Sequence, residues 1–255
     1  MDYQQIVFVG SGALLQRALQ FWHRRLSIPV LVILTGTDAI PPIRDFGFET
    51  YRGNPNKLLP TLLPTQLPNL IFSLNNRFVF TDATLEENWS FYNIHGAITE
   101  SYRGFAEICV LAALLENNTK YGVTLHKVIP FQEVDQGPIV DVIDWPLTQK
   151  EDFSSLMMQV QKHCFQIFVD NVQAVLDGSV THRIAVSTNQ TESRLCGYSN
   201  VAEILAAAPC ESLFSRTTLG PFVQHFPKLA QSIALEQSKR DGRCSCRQSH
   251  HVNWK

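Results

Sequence analysis

The chain is expected to fold as an α/β domain, a mostly parallel sheet flanked by helices with a small C-terminal extension, and three features of the sequence point there. Short β-branched and aromatic runs alternate with helix-length segments through the first 180 residues, and such alternation calls for crossover connections between parallel strands. The first apolar run, residues 6–9, leads into Gly10-Ser11-Gly12 and then a helix-like pattern, which reads as strand, tight turn and helix. Residues 153–176 form the longest helical pattern and carry an apolar stripe suited to covering a sheet.

Each element follows from its own pattern. After the turn at Gly10, Leu14, Leu15, Ala18, Leu19 and Trp22 recur at helical spacing. Residues 28–34 are a second apolar run ending at Gly36, residues 48–51 a third strand before a helix near 57–63, and residues 69–74 a fourth strand. Residues 91–95 read as a further strand, and 105–115, rich in Ala and Leu, as a buried or amphipathic helix. Residues 122–128 and 139–143 are alternating or β-branched and should pair as neighbours, joined by a loop over 130–138 that holds Asp135 and Gly137. In the long helix the stripe is Leu156, Met157, Val160, Phe165, Phe168, Val169 and Val172, and Gly178 is placed to end it. Beyond Gly178 the pattern loosens. Residues 204–208 suggest a short helix, and Pro209, Pro221 and Pro227 interrupt the stretch after it. The expected organisation is a catalytic domain over 1–180, a small extension over 181–237 and a basic, flexible tail over 238–255, in which Lys239, Arg240, Arg243, Arg247 and Lys255 meet one acid, Asp241.

Composition narrows the function classes. With 45% hydrophobic and 17% charged residues the chain is that of a globular protein. A formal charge of −2 gives no global basic field, so no nucleic-acid partner is expected. No run approaches the roughly 18 apolar residues of a membrane span, and the opening MDYQQ lacks a charged n-region, so the expectation is a cytoplasmic protein without a membrane partner. The six cysteines show no zinc-type double CxxC and no disulfide-scaffold density; no metal is expected.

Chemistry-bearing residues cluster in two places. If Asn93-Ile94-His95 is a strand, its period of two points Asn93 and His95 to one side and Ile94 to the other. Asp135 lies in Val134-Asp135-Gln136-Gly137, on a loop able to bring a carboxylate back over the sheet edge. His126 lies near Asp135 in sequence and could serve as an alternative base, but its plainer reading is a strand histidine bonded within the sheet; His23, His163 and His182 read as structural or exposed. Gly10-Ser11-Gly12 could seat a phosphate at a helix N-terminus, yet a third glycine is missing at the dinucleotide position, so the plainer role is a tight turn and no NAD is expected.

Taken together, FYNIHGAITESYRG and the later YGVTLHKVIPFQEVDQGPIV resemble the folate-dependent formyltransferase family, over roughly residues 6–178. That resemblance implies a Rossmann-like formyltransferase fold, with Asn93, His95 and Asp135 as catalytic trio and 10-formyltetrahydrofolate as one-carbon donor. Formyl transfer to an amine requires stabilisation of a developing oxyanion and proton movement between nitrogens. An amide donor, an imidazole and a carboxylate suffice for it. By the resemblance Asn93 polarises the formyl oxygen, His95 stabilises the oxyanion and moves protons, and Asp135 orients or charges the imidazole. The pterin slot falls between the loops 74–80 and 130–137, with Arg77, Phe78, Tyr92, Phe131 and Val134 as folate contacts, and ordinary core packing is the competing role for the aromatic ones. On the acceptor side stand Gly10, Ser11 and Gly12, near which some relatives hold phosphorylated acceptors, and Glu100, which either selects a cationic amine or is an exposed loop acid. The loop His95-Gly96-Ala97-Ile98-Thr99-Glu100-Ser101 lacks the proline many relatives carry. The C-terminal β-barrel of methionyl-tRNA formyltransferases is not recognisable in 181–255. The expected acceptor is therefore a small amine, a sugar or amino acid, free or carrier-bound, closest to small-amine and nonribosomal-peptide N-formyltransferases. A formyltetrahydrofolate hydrolase and a non-catalytic folate-binding module of a larger synthase stay open.

Overall fold

In a computed structural model the described residues are 3–25, 28–36, 46–85, 88–183 and 193–241. Strand β1 (Gln5–Gly10) is buried along nearly its whole length and flanked by the equally buried β2 (Val30–Leu34) and β4 (Asn69–Leu74), which is why these segments read as apolar runs without alternation. With β3 (Glu49–Arg52), β5 (Trp89–His95), β7 (Lys120–Val128) and β8 (Ile139–Pro146) they form a seven-stranded sheet in the order β3-β2-β1-β4-β5-β7-β8. The first five strands are parallel; β7 pairs antiparallel with β5, and β8 antiparallel with β7.

Helices cover both faces. On one face, helix α1 (Gly12–Arg25) and helix α5 (Phe153–Asp177) close over Phe8 and Phe72, where Trp22 and Phe168 meet them edge-on at 5.3 to 6.0 Å. The other face packs Leu59 of α2 (Pro55–Leu62) and Leu85 of α3 (Asp82–Leu85) on Val7, Val9, Ile33, Ile71 and Phe91. Helix α5 has the ends its sequence promised. Asp152 and Ser155 make a reciprocal capping box, and Gly178 takes the left-handed conformation at φ 66°. Among the described residues no helix is long and apolar enough to cross a membrane.

Strand order reverses between β1 and β4, so the loops leaving them diverge and open the crevice where doubly wound sheets bind ligands. Gly10 is required there by proximity: a Cβ on it would fall 1.8 Å from the Leu74 carbonyl oxygen. Two features depart from expectation. Three residues after the β5 loop form β6 (Tyr102–Gly104), paired in parallel with β9 (Arg194–Cys196) as a separate small sheet. The C-terminal segment is also more regular than its prolines suggested: α6 (Val201–Ala207), α7 (Cys210–Ser215) and α8 (Pro227–Arg240) join α4 (Ala106–Leu115) and α5 in one continuous core. Helix α8 runs through the expected boundary at 237/238. Lys239 and Arg240 are thus helical and paired with Glu236 rather than part of a solvated tail. Arg243, Arg247, Lys255 and the rest of the expected tail lie outside the described residues.

Candidate active site

Strand β5 presents Asn93 and His95 on one face while Tyr92 and Ile94 enter the core on the other. Pairing with the antiparallel β7 sets Asn93 opposite His126 and His95 opposite Thr124. The Asn93 side-chain nitrogen lies 3.1 Å from His126 Nε2 and donates to Asp135 Oδ1 at 3.2 Å. Asp135 reaches this point because the loop after β7 doubles back. Gly137 sits so close to β7 that a Cβ would fall 1.7 Å from the Lys127 carbonyl oxygen, and Asp135 itself has φ 60°. The Asp-x-Gly spacing is therefore a steric condition for bringing the carboxylate over the sheet.

The short strand β6 holds the site with three successive residues. The Tyr102 carbonyl receives His95 Nε2 at 3.1 Å, the Arg103 guanidinium donates to Glu133 at 2.6 Å and to the Val134 carbonyl at 3.4 Å, and the Gly104 N–H donates to Asp135 Oδ2 at 2.9 Å. Thr124 ties the loop after β5 in place, its hydroxyl donating to the Ala97 carbonyl and accepting the Thr99 N–H.

Burial sets the protonation states. His95 is 4% exposed, and desolvation pushes its imidazole below the ordinary 6.5, against the upward pull of Asp135. With Nε2–H on the Tyr102 carbonyl, Nδ1 faces Asp135 Oδ2 at 3.5 Å. Burial alone would raise Asp135, but the two imidazoles and the Gly104 N–H outweigh it and hold the carboxyl well below the usual range. At neutral pH the site is a carboxylate facing a neutral imidazole that gains a counter-charge on accepting a proton.

No protein-family model and no curated protein matches the chain. Solved structures do. WlaRD, a sugar 3N-formyltransferase studied with dTDP and 5-N-formyl-THF, superposes with a TM-score of 0.64 at 17% identity over 78% of this chain and 72% of its own. An N-formyltransferase from Helicobacter canadensis, in complex with folinic acid and dTDP-3-aminofucose, gives 0.64 at 15% identity over 78% and 72%. Glycinamide ribonucleotide transformylase 1 from Symbiobacterium toebii gives 0.60 at 19% identity over 71% of this chain and 94% of its own. The fold is the formyltransferase fold.

Within this formyltransferase fold the remaining expected contacts separate. Phe131 and Val134 project from the loop beside Asp135, 78% and 37% exposed, and the Phe131 N–H donates to Asp82 at 2.8 Å, tying that loop to the start of α3, which follows the β4 loop. Phe78, 36% exposed, lines a cavity at the ends of β2 and β3 instead. Arg77 is exposed on the same loop. Tyr92 is not on the Asn93 face: its ring packs on Phe72 in the core and burial raises its phenol to about 12, so core packing is its role. Glu100 is paired bidentately with Arg183 at 3.0 and 3.2 Å, which already matches its charge. Ser11 is committed to the β4 loop, its N–H donating to the Leu74 carbonyl and its hydroxyl to the Asn75 carbonyl, while Gly10 and Gly12 make the turn into α1.

Sequence reasoning set His126 aside, yet its Nε2 lies 3.4 Å from Asp135 Oδ1 and 3.1 Å from Asn93. The signal was the register. Pairing residues 91–95 antiparallel with 122–128 sets His126 beside Asn93, whereas the sequence suggested only the β7–β8 pairing.

Proposed function

We propose that the chain is an N-formyltransferase that moves a formyl group from 10-formyltetrahydrofolate to a primary amine. The observation that carries this reading is that Asp135, distant in sequence, converges on Asn93 and His95 at the carboxyl end of β5, within 3.2 Å of Asn93 and 3.5 Å of His95.

The exposed apolar Phe131 and Val134, on a loop bound to the β4 side through Asp82, suit a flat pterin ring, and the backbone of both loops offers it hydrogen bonds. When bound, the folate supplies an activated formyl carbon. The chain's own residues do the rest. Asn93 donates from its amide to the formyl oxygen in place of the His126 nitrogen it now faces, keeping its other N–H on Asp135. His95, neutral at the start, takes the proton the attacking amine sheds, Asp135 at 3.5 Å favours the resulting imidazolium, and the proton then passes to the folate nitrogen as its bond to the formyl carbon breaks and tetrahydrofolate leaves. The Tyr102 carbonyl and the Gly104 N–H keep both groups from turning away.

For the acceptor, structures of this fold at 15–17% identity were studied with dTDP or a dTDP-amino sugar. A sugar-borne amine is accordingly the first candidate, with amino-acid amines, free or carrier-bound, as the comparison panel. Incubation with 10-formyltetrahydrofolate and that panel should yield formyl-amine, and Asn93→Ala and His95→Ala should each lose about 10²-fold or more in kcat while remaining folded. Formate as sole product across the panel would establish a hydrolase instead. Folate binding without turnover would mean a non-catalytic module, and near-normal rates in both variants would remove the site assignment.

A further inference from the structure

Helix α1 buries Leu14, Leu15, Ala18, Leu19 and Trp22 on its inner side. Its outer side carries Arg17, His23, Arg24 and Arg25, and the helix holds no acid at all. In a chain of net charge −2 this face runs against the average. Elsewhere Arg103, Arg183, Arg194 and Arg240 each meet a carboxylate. Among the described residues Arg17, Arg24 and Arg25 meet none within ion-pair distance. Aromatic rings hold two of them instead. The Arg17 guanidinium lies over the Phe165 ring of α5 at 4.1 Å, and that of Arg25 over Phe21 at 4.7 Å. Phe21 meets Phe165 and Phe168 edge-on at 6.5 and 6.0 Å, so both rings are braced on the core beneath. Residues 17, 20, 21 and 24 share one side of the helix by their spacing. With Arg25 and Phe165 they line a groove of about 250 Å³ between α1 and α5.

The last turn of a helix favours cations, which accounts for Arg24 and Arg25 in α1. It does not account for Arg17, in the first half of the helix, nor for the stacking. A guanidinium lying over a ring has its face covered and its in-plane N–H donors free, so it is ordered without a carboxylate and ready for one. Such ordering removes part of the side-chain entropy that an arginine loses on binding. Three classes of occupant fit poorly. The groove is smaller than the roughly 300–1,000 Å³ of small-molecule pockets. Nucleic acid would need the ring faces for base stacking, and Arg17 and Arg25 cover them. A second copy meeting the same surface across a two-fold axis would set arginine against arginine. Arginine and aromatic residues together are instead the mixture enriched where proteins bind proteins. Arg17 and Arg24 stand seven residues apart, about 10.5 Å along the helix axis.

We infer that the groove between α1 and α5 is a docking surface for an acidic segment of a partner protein. Carboxylates about 10 Å apart meet Arg17 at one end and the Arg24–Arg25 pair at the other, and an apolar side chain between them rests on the half-buried Phe21. Arg24 lies twelve residues beyond Gly12, about 18 Å from the sheet edge that bears Asn93 and His95. A partner held there leaves the reacting groups uncovered, and the inference stands independently of the formyltransferase reading.

Fluorescence anisotropy on the full chain tests this with a labelled Glu-Glu-Leu repeat peptide, its Lys-Lys-Leu counterpart and a single-stranded oligothymidylate. The acidic peptide should bind with a Kd of about 10 μM or tighter, and the basic peptide about tenfold or more weakly than that. Arg17→Glu/Arg24→Glu should weaken the acidic peptide about tenfold or more. Lys57→Glu/Lys228→Glu changes the net charge equally at exposed sites elsewhere and should stay within about twofold. Phe165→Leu keeps every charge and removes only the ring beneath Arg17, for an expected loss of about threefold. Circular dichroism checks that each variant is folded. Equal losses in the two double variants would mean attraction by the average field rather than a built surface, and would overturn the inference. It is also overturned by oligothymidylate binding more tightly than the acidic peptide, or by a dimer in sedimentation that Arg17→Glu/Arg24→Glu dissolves. None of these readouts needs turnover, so a failure of the transferase reading leaves them intact.

Discussion

Asp135 shows how one side chain can be costly in isolation and stabilising in place. Both its oxygens are occupied, Oδ1 by the Asn93 amide and Oδ2 by the Gly104 N–H, with an imidazole 3.4 to 3.5 Å from each. Its folded value is depressed, so its contribution to stability is complete above the unfolded carboxyl value and is lost as pH falls through the folded one. His95 acts in the same direction: its folded value lies below 6.5, so on acidification the unfolded chain takes up the proton first and stability falls from there. The same pair shapes the rate. Because His95 must be neutral to accept a proton, the acid limb of kcat/KM should lie below pH 6.5, where burial places it. Asp135→Asn removes the charge that favours the imidazolium and should move that limb to still lower pH, alongside a loss of about 10²-fold or more in kcat. A rate–pH series on both proteins decides it: a limb that moves upward in the variant would show that Asp135 does not act on His95.

At the scale of elements, legibility depended on how local each pairing is. Strand β5 could be read because the alternation of Tyr92, Asn93, Ile94 and His95 is itself the signal. Strand β6 could not, because three residues gain strand geometry from β9, about ninety residues later, and that partner decides the outcome. Yet β6 is where the site is fastened. Arg103, 6% exposed, spans from β6 to Glu133, the Val134 carbonyl and the Ser193 carbonyl, linking the Asp135 loop to the segment that supplies β9. Glu133 is largely exposed, so screening weakens the charge part of that contact and the fork of hydrogen bonds matters more. Arg103→Met keeps the aliphatic stem and removes the fork; kcat should fall roughly 10- to 100-fold through a misplaced Asp135, with a smaller change in KM. Glu133→Gln keeps an acceptor for Arg103 and should cost less than about threefold. Steady-state kinetics on both variants separates the cases, and equal losses would make the ion pair, not the guanidinium fork, the support.

At the scale of the molecule, the open question was whether residues beyond Gly178 are an appendage. Pro209, Pro221 and Pro227 read as breakers, but proline ends a helix only from within it; at the first helical turn its missing N–H costs nothing. Pro227 occupies that position in α8, which then carries Leu229 and Ile233 into the same core as Phe153, Val160 and Leu114. Arg216, 2% exposed, fastens this layer by donating to the carbonyls of Leu114, Thr148 and Glu151, joining α7's end to α4 and to the entry of α5. A core without a seam should unfold as one unit. Ile233→Ala, at 4% exposure, should then lower global stability by roughly 2–4 kcal/mol and shift the whole transition. Urea unfolding monitored in parallel by far-UV circular dichroism and tryptophan fluorescence tests this, since Trp22 lies across the core in α1 and reports on the sheet side. Coincident curves moving together are the expected result. If the fluorescence midpoint stayed fixed while part of the helical signal melted early, α8 would be a separate unit and the extension would not share the stability of the sheet that bears Asn93 and His95.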